Sequence, residues 1–186
     1  MEFLLPLLPK KTISIMISTA HISLRALEPE DLELIYQLEN DPDVWRWGST
    51  TVPYSRFAIR QYLEQNQNDL FIDRQLRLVA VEEQTGQPVG LADLTNFDPL
   101  HRRAEIGLLI VPEFRGKGLS APILRQLEEY ARRLSLHQIY ATIATANEPA
   151  TRLFQKSGYV RSAVLNDWLL LDGRWVDAAV WQKTLL

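Results

Sequence analysis

The chain has 186 residues, of which 46% are apolar and 23% are charged, and its 20 basic and 23 acidic side chains give a net charge of −3. These values are typical of one soluble globular domain and exclude a strongly basic nucleic-acid-binding surface. The lack of cysteine excludes disulfides, thiolate metal ligands and a cysteine nucleophile. Because His21, His101 and His137 are far apart in the sequence, we expect no metal site. The net charge of −3 provides no strong basic field, so we expect no nucleic-acid partner.

The first 18 residues are predicted to be a flexible extension before a single domain over residues 19–186. Pro6 and Pro9 interrupt the apolar stretch of this segment, and Glu2 stands where a signal peptide carries basic residues. No stretch of the sequence approaches the roughly 18 apolar residues of a membrane span. We therefore expect a cytoplasmic protein without a membrane partner.

The alternation of apolar and polar residues predicts elements in the order β α α β β β α β α β β. In chain order these are a strand in HISLRAL, a helix that ends at NDPD, a helix over residues 54–66, three strands in LRLVAVEE, VGLADLTNF and HRRAEIGLLIV, a helix that ends near residue 135, a strand in HQIYATIA, a helix in NEPATRLFQKSG and a terminal hairpin around Asp172 and Gly173. This order predicts an α+β fold with a mixed, mostly antiparallel sheet and about four flanking helices. The central strand–helix–strand unit adds a parallel pair or a splayed junction.

A Gly-Lys-Gly turn joins the strand HRRAEIGLLIV to the next helix and resembles phosphate-binding turns to different degrees. The P-loop pattern fails because Gly118, and not serine or threonine, follows Lys117. The dinucleotide pattern G-x-G-x-x-G/A matches Gly116, Gly118 and Ala121, but no carboxylate lies between residues 129 and 148 to bind a ribose. A plain strand-to-helix turn is the remaining alternative for this segment taken alone.

Pro122 predicts that the helix after this turn begins near Ser120, because proline is tolerated in the first turn of a helix. The amides of residues 116–120 would then be free to bind an anion at the positive end of the helix. RGKGLS, from Arg115 to Ser120, fits the pyrophosphate-loop pattern Q/R-x-x-G-x-G/A, except that Ser120 replaces the last small residue.

Three ordered segments resemble the GNAT N-acetyltransferases, and the resemblance extends from about His21 to the C-terminus. HRRAEIGLLIVPEFRGKGLS resembles motif A of that family, and NEPATRLFQKSGYV resembles motif B. LDGRWVDAAVWQKTLL is similar to the terminal hairpin of the bacterial polyamine and ribosomal-protein acetyltransferases. The HRRAE segment and this ending most resemble the spermidine/spermine (diamine) branch. The resemblance implies a GNAT-type sheet with a splayed central parallel pair and, as in many relatives, a homo-oligomer.

The resemblance also implies an acyltransferase that uses acetyl-CoA as cosubstrate and no metal. Acetyl-CoA would lie in the gap between the strands HRRAEIGLLIV and HQIYATIA, with its pantetheine arm against the backbone of Leu108, Leu109 and Ile110. The other residues implied to bind the cofactor are Arg115, Gly116, Lys117, Gly118, Leu119, Ser120, Asn147, Arg152 and Phe154.

The resemblance makes Glu105 the candidate catalytic base that accepts the proton of the attacking amine. A salt bridge with Arg102 or Arg103 is the alternative role for this side chain. Phe154 departs from the family, because many relatives carry a tyrosine there that protonates the departing CoA thiolate. A thiol is a fairly good leaving group, so the reaction does not depend on this acid, and water or another hydroxyl, such as that of Tyr140 or Tyr159, could serve instead.

The implied reaction is direct acetyl transfer to a primary amine, most simply that of a polyamine-like or diamine-like small molecule. The candidate substrate-binding residues are Trp45, Trp47, Tyr54 and Asp93, whose rings and carboxylate suit an ammonium group. Polyamine acetyltransferases carry acidic residues where this chain has Thr50 and Thr51. Two alternatives therefore stay open: a protein N-terminal acetyltransferase of the ribosomal-protein type, and a catalytically weak acyl-CoA-binding module.

Overall fold

A computed structural model describes residues 21–47 and 52–185, so the predicted extension and the pair Thr50 and Thr51 lie outside the described residues. In this part of the chain, seven strands and six helices follow one another as β1 Ile22–Ala26, α1 Leu32–Glu39, α2 Pro42–Trp45, α3 Arg56–Gln65, α4 Leu70–Asp73, β2 Leu76–Glu82, β3 Pro88–Asp98, β4 Arg103–Ile110, α5 Ser120–Arg133, β5 Gln138–Ala144, α6 Glu148–Lys156, β6 Val160–Leu171 and β7 Arg174–Thr184. The predicted order is confirmed, with α2 and α4 added to it.

The two added helices are single turns that begin at aspartate caps. The side chain of Asp41 accepts a hydrogen bond from the backbone N–H of Asp43 at the start of α2, and Asp69 caps α4 in the same way. Pro42 at the first position of α2 fits because its missing N–H has no partner in a first turn. The segment NDPD, which was predicted to end a helix, therefore both ends α1 and starts α2.

The strands form one sheet in the order β1-β2-β3-β4-β5-β7-β6. The pairing between β4 and β5 is parallel, and every other pairing among the described strands is antiparallel. The parallel pairing covers three residue pairs only, from Arg103 opposite Gln138 to Glu105 opposite Tyr140. Beyond them the two strands continue without pairing to each other, so the splayed central pair is confirmed.

Helices cover both faces of the sheet with apolar stripes. On one face, α5 buries Ile123, Leu124 and Leu127 in the main core, and on the other face α1 and α3 bury Ile35 and Ile59. Each fully buried Leu or Ile contributes about 1.5–3 kcal/mol by leaving water. This packing fixes α5, and the turn before it, against β3 and β4. None of the described helices is long and apolar enough to cross a membrane.

A buried ion pair joins α5 to β7. The Nζ atom of Lys183 donates to the Oε2 atom of Glu128 at 2.6 Å and to the carbonyl oxygen of Ser157 at 2.8 Å. Glu128 is 4% exposed, and its second nearby cation is Arg132, 3.9 Å away.

Lys183→Met is therefore expected to lower the free energy of unfolding by about 3 kcal/mol, since it leaves a buried carboxylate without its main partner. Urea unfolding monitored by circular dichroism measures this change. The matched control is Lys156→Met, on the exposed end of α6, which is expected to stay within about 0.5 kcal/mol of the wild type. Equal stability of Lys183→Met and wild type would contradict the prediction.

Candidate active site

The divergence of β4 and β5 opens a cleft of about 810 Å³. β3 pairs with one edge of residues 106–110, so the other edge of this segment faces the cleft without a strand partner. Residues 141–144 of β5 line the opposite side. The free edge includes Leu108, Leu109 and Ile110, and it can hydrogen-bond to an extended ligand that carries amide groups.

The Gly-Lys-Gly turn lies at the end of this edge and leads into α5. Gly116 has a φ of +74° and Gly118 a φ of +77°, conformations that favour glycine because a Cβ atom is strained there. The helix begins at Ser120, as predicted from Pro122. Within the described chain, no backbone N–H of residues 116–120 donates a hydrogen bond, so these five amides fit an anion at the positive helix end.

The side chain of Arg115 is directed away from the free amides. Its guanidinium donates to the carbonyl oxygen of Ile110 at 3.1 Å and to the carboxylates of Asp41 and Asp43 at the start of α2. The same hydrogen bond from Arg115 helps to hold the pKa of Asp41 below its usual value, against the opposing effect of burial. Arg115 therefore joins the turn to α2.

Four further residues were predicted to bind the cofactor through their side chains or backbone. Asn147 lines the cleft, and its side chain caps α6 by accepting from a backbone N–H at 3.2 Å. The side chain of Lys117 is exposed, and that of Leu119 is buried in the core, so Leu119 offers only its backbone. Arg152 is exposed, does not line the cleft and pairs with Glu148 at 2.8 Å.

Phe154 lines the cleft from α6 and packs edge-on against the ring of Tyr159, with 4.7 Å between the ring centroids. Burial and the carboxylate of Glu128 raise the pKa of Tyr159 far above its ordinary value, and neither Tyr159 nor Tyr140 lines the cleft. The hydroxyl groups among the described lining residues belong to Thr95, Ser120 and Thr142. A tyrosine proton donor is therefore absent from the described walls of the cleft.

Glu105 lies at the point where β4 and β5 separate. Its Oε2 atom accepts from the Nδ2 atom of Asn96 at 2.7 Å, and its Oε1 atom accepts from the backbone N–H of Thr142 at 3.1 Å. Arg103 pairs with Asp98 at 3.2 Å, and among the described residues Glu105 has no ion pair with a neighbouring arginine. The candidate base is thus held by one donor from β3 and one from β5, at the wall of the cleft.

A cluster of three charged side chains, those of Arg77, Asp93 and Glu39, also lines the cleft. Of these residues, only Asp93 was predicted from the sequence. Arg77 on β2 donates to both oxygens of Asp93, at 2.9 and 2.8 Å, and to the carboxylate of Glu39 at the end of α1. Burial opposes the charge of Arg77, but the two carboxylates raise its pKa above the ordinary value. The sequence contained part of the information needed to predict this cluster, because Arg77 and Asp93 each interrupt an apolar strand and these two strands pair with each other.

The predicted aromatic residues have different positions. Trp47 is 41% exposed and lines the cleft. Trp45 does not line it, and its indole N–H donates to the carbonyl oxygen of Glu39. Tyr54 also does not line it, and its backbone is held by the side chain of Asn40. The structure therefore brings Trp47, but not Trp45 or Tyr54, to the cleft.

These features define the class of protein. An unpaired strand edge runs to a helix N-terminus with free amides, and a carboxylate lies at the strand junction, as expected for a CoA-dependent acyltransferase. Residues 21–160 match the family model of the acetyltransferase (GNAT) domain. The chain belongs to the GNAT acetyltransferase family, and the predicted family is confirmed.

Relatives within this family are known in more detail. Spermidine N(1)-acetyltransferase of Vibrio cholerae is 31% identical over 159 residues, which are 85% of this chain and 90% of the relative. The crystal structure of spermidine N-acetyltransferase from Vibrio cholerae in complex with CoA and spermine has a TM-score of 0.81 and 26% identity, covering 89% of this chain and 96% of that one. A dodecameric structure of the Vibrio cholerae enzyme has a TM-score of 0.76 and 27% identity, covering 89% and 95%.

Proposed function

We propose that this protein transfers the acetyl group of acetyl-CoA directly to a primary amine of a polyamine-like molecule. The observation that carries the acceptor class is the charge of the cleft lining, where the four carboxylates of Glu39, Asp43, Asp93 and Glu105 outnumber the three guanidiniums of Arg46, Arg77 and Arg115. An excess of negative charge favours a cationic acceptor. Trp47 adds a ring face for an ammonium group. The similarity to spermidine acetyltransferases supports the same acceptor class.

The proposed cofactor site uses the predicted residues apart from the side chains of Arg115 and Leu119, with the backbone as its main component. The free edge at Leu108–Ile110 would pair with the amides of the pantetheine arm, and the free amides of residues 116–120 would bind the pyrophosphate. Asn147 and Phe154 would border the other side, with Lys117 and Arg152 at the exposed rim. Acetyl-CoA supplies the activated acyl group and a leaving thiolate.

The chain's own residues would handle the proton and the developing charge. A primary amine titrates near pH 10, so a base must remove its proton at neutral pH. Glu105 would accept that proton, directly or through one water molecule. A backbone N–H at the free edge near Leu109 or Ile110 would stabilise the oxyanion. Phe154 cannot donate a proton, and a thiol with a pKa of about 8.5 leaves as the thiolate without an acid.

A panel of amines tests the acceptor class. Purified protein and acetyl-CoA are mixed with spermidine, spermine, diamines, amino acids and short peptides, and release of the CoA thiol is measured. Fastest release with the polyamines is expected. Selectivity for peptides over every small amine would favour a protein N-terminal acetyltransferase, and tight CoA binding without release would favour an acyl-CoA-binding module. NAD, titrated beside CoA, is expected not to bind.

We also propose that the chain assembles with copies of itself through β6. This strand is one of the two edges of the sheet, and its exposed apolar side chains are Val160, Val164, Trp168 and Leu170. A long apolar edge strand is a template for pairing with another chain, and the dodecameric structure of a relative supports a second copy as the partner.

Val164→Lys is expected to reduce the assembly to smaller species, because it places a charge in the middle of the β6 surface. Light scattering after size-exclusion chromatography measures the mass. The control is Leu100→Lys, in the exposed turn between β3 and β4, which is expected to keep the wild-type mass. A monomeric wild type, or an unchanged mass of Val164→Lys, would contradict this surface.

A further inference from the structure

A β-bulge in β3 carries Asn96 next to the candidate base. The pairing of β3 with β4 runs to Thr95 opposite Glu105 and resumes at Asp98 opposite Arg103, so β3 has one extra residue in between. Asn96 has a φ of +49°, a left-handed conformation that asparagine tolerates better than most residues.

The two residues of the bulge have different roles. Phe97 is 8% exposed and packs edge-on against Phe71 at 5.0 Å, so it belongs to the core. Asn96 is exposed, and its Nδ2 atom donates to the Oε2 atom of Glu105. Burial of Phe97 fixes the backbone of the bulge and thereby aims the carboxamide of Asn96 at the carboxylate.

Asn96 and Thr142 together hold the carboxylate of Glu105 from two sides. The N–H of Thr142 holds Oε1, and the side chain of Asn96 holds Oε2, so each carboxylate oxygen has one donor from a different strand. Donors to a carboxylate favour its ionised form, which is the form that acts as a base. Other charged or titratable groups near Glu105 in the described chain are Asp93, Arg77, Arg103, Asp98 and Tyr140.

We infer that Asn96 is a positioning residue, which orients the carboxylate of Glu105 for removal of the amine proton. This inference rests on the proposed function. The bulge makes this contact possible, because a β3 strand without a bulge would lack the extra residue that reaches Glu105.

Two variants remove the donor without changing the backbone conformation. Asn96→Gly deletes the carboxamide, and glycine accepts a φ of +49°. Asn96→Asp keeps the shape and replaces the donor with a second carboxylate beside Glu105. Asparagine and aspartate both tolerate the left-handed region, so Asn96→Asp is matched in backbone and volume.

The measurement is kcat against pH with saturating acetyl-CoA and spermidine. For Asn96→Gly we expect kcat at neutral pH to fall about threefold to tenfold, with an unchanged KM for acetyl-CoA. The acidic limb of the profile is expected to move up by about half a pH unit to one unit. Asn96→Asp is expected to move it further in the same direction, because a second carboxylate lies beside Glu105.

An independent readout separates this inference from the proposed function. The ¹³C shift of the Glu105 carboxyl group, assigned by its loss in Glu105→Gln, is followed against pH without substrate. Its midpoint is expected to rise in both Asn96 variants. If the wild type acetylates no amine, the proposed function fails while the titration still tests Asn96. An unchanged limb and an unchanged midpoint would overturn the role of Asn96, even if the melting temperature fell.

Discussion

Glu105→Gln is expected to lower kcat for spermidine by about 10²–10⁴-fold, because the neutral amide cannot accept the amine proton. The fold is expected to remain intact, since the glutamine oxygen can accept from the N–H of Thr142 while Asn96 reorients its carboxamide to accept from the glutamine NH₂. The KM for acetyl-CoA is expected to change little, because the cofactor would contact the backbone of residues 108–110 and 116–120.

The test is steady-state kinetics over a range of pH, with Glu64→Gln on α3 as the control at wild-type activity. Glu64 does not line the cleft. The acidic limb of the wild-type profile is expected to disappear in Glu105→Gln. If Glu105→Gln kept full kcat and the same limb, the base would be a different group.

Gly116→Ala is expected to raise the dissociation constant of CoA by about tenfold. A Cβ atom at a φ of +74° costs about 1–2 kcal/mol, and relief of this strain would turn the amides of residues 116–120 out of their shared direction. Isothermal titration with CoA measures the change.

Gly86→Ala is a matched control for this substitution. Gly86 has a φ of +69° in the turn between β2 and β3, and neither glycine has an atom within 4 Å of the site where a Cβ would lie. Both variants are therefore expected to lose similar stability, and only Gly116→Ala is expected to lose CoA affinity. Equal CoA affinities of the two variants would mean that the turn is only a connection between strand and helix.

The features that the sequence predicted well are local in the chain. The strand, glycine turn and helix of residues 103–133 lie within one continuous segment, and Pro122 marks the helix start. The splayed pair could also be predicted, because a helix connects β4 to β5 and such a crossover connection allows two neighbouring strands to run parallel. The family resemblance rests on these same continuous segments.

The features that the sequence did not reveal depend on residues distant in the chain. Arg77 meets Glu39 and Asp93, which are 38 and 16 residues away, and Arg115 meets Asp41 from 74 residues away. Such pairs depend on how α1 and α2 pack beside the sheet, and no local periodicity encodes that arrangement. The bulge at Asn96 was hidden for a related reason, because it requires the register of two strands and not the pattern of one.

The short junction of β4 and β5 has a mechanical consequence. The sheet consists of two hydrogen-bonded leaves, β1 to β4 and β5 with β7 and β6, which share three residue pairs and the bond from Thr142 to Glu105. The Lys183–Glu128 pair connects the second leaf to α5. A ligand bound between the leaves would take the place of a missing strand and would add hydrogen bonds across the cleft. Substrate occupancy in such a protein is therefore also a change in stiffness, and slower hydrogen exchange at residues 106–110 would register it.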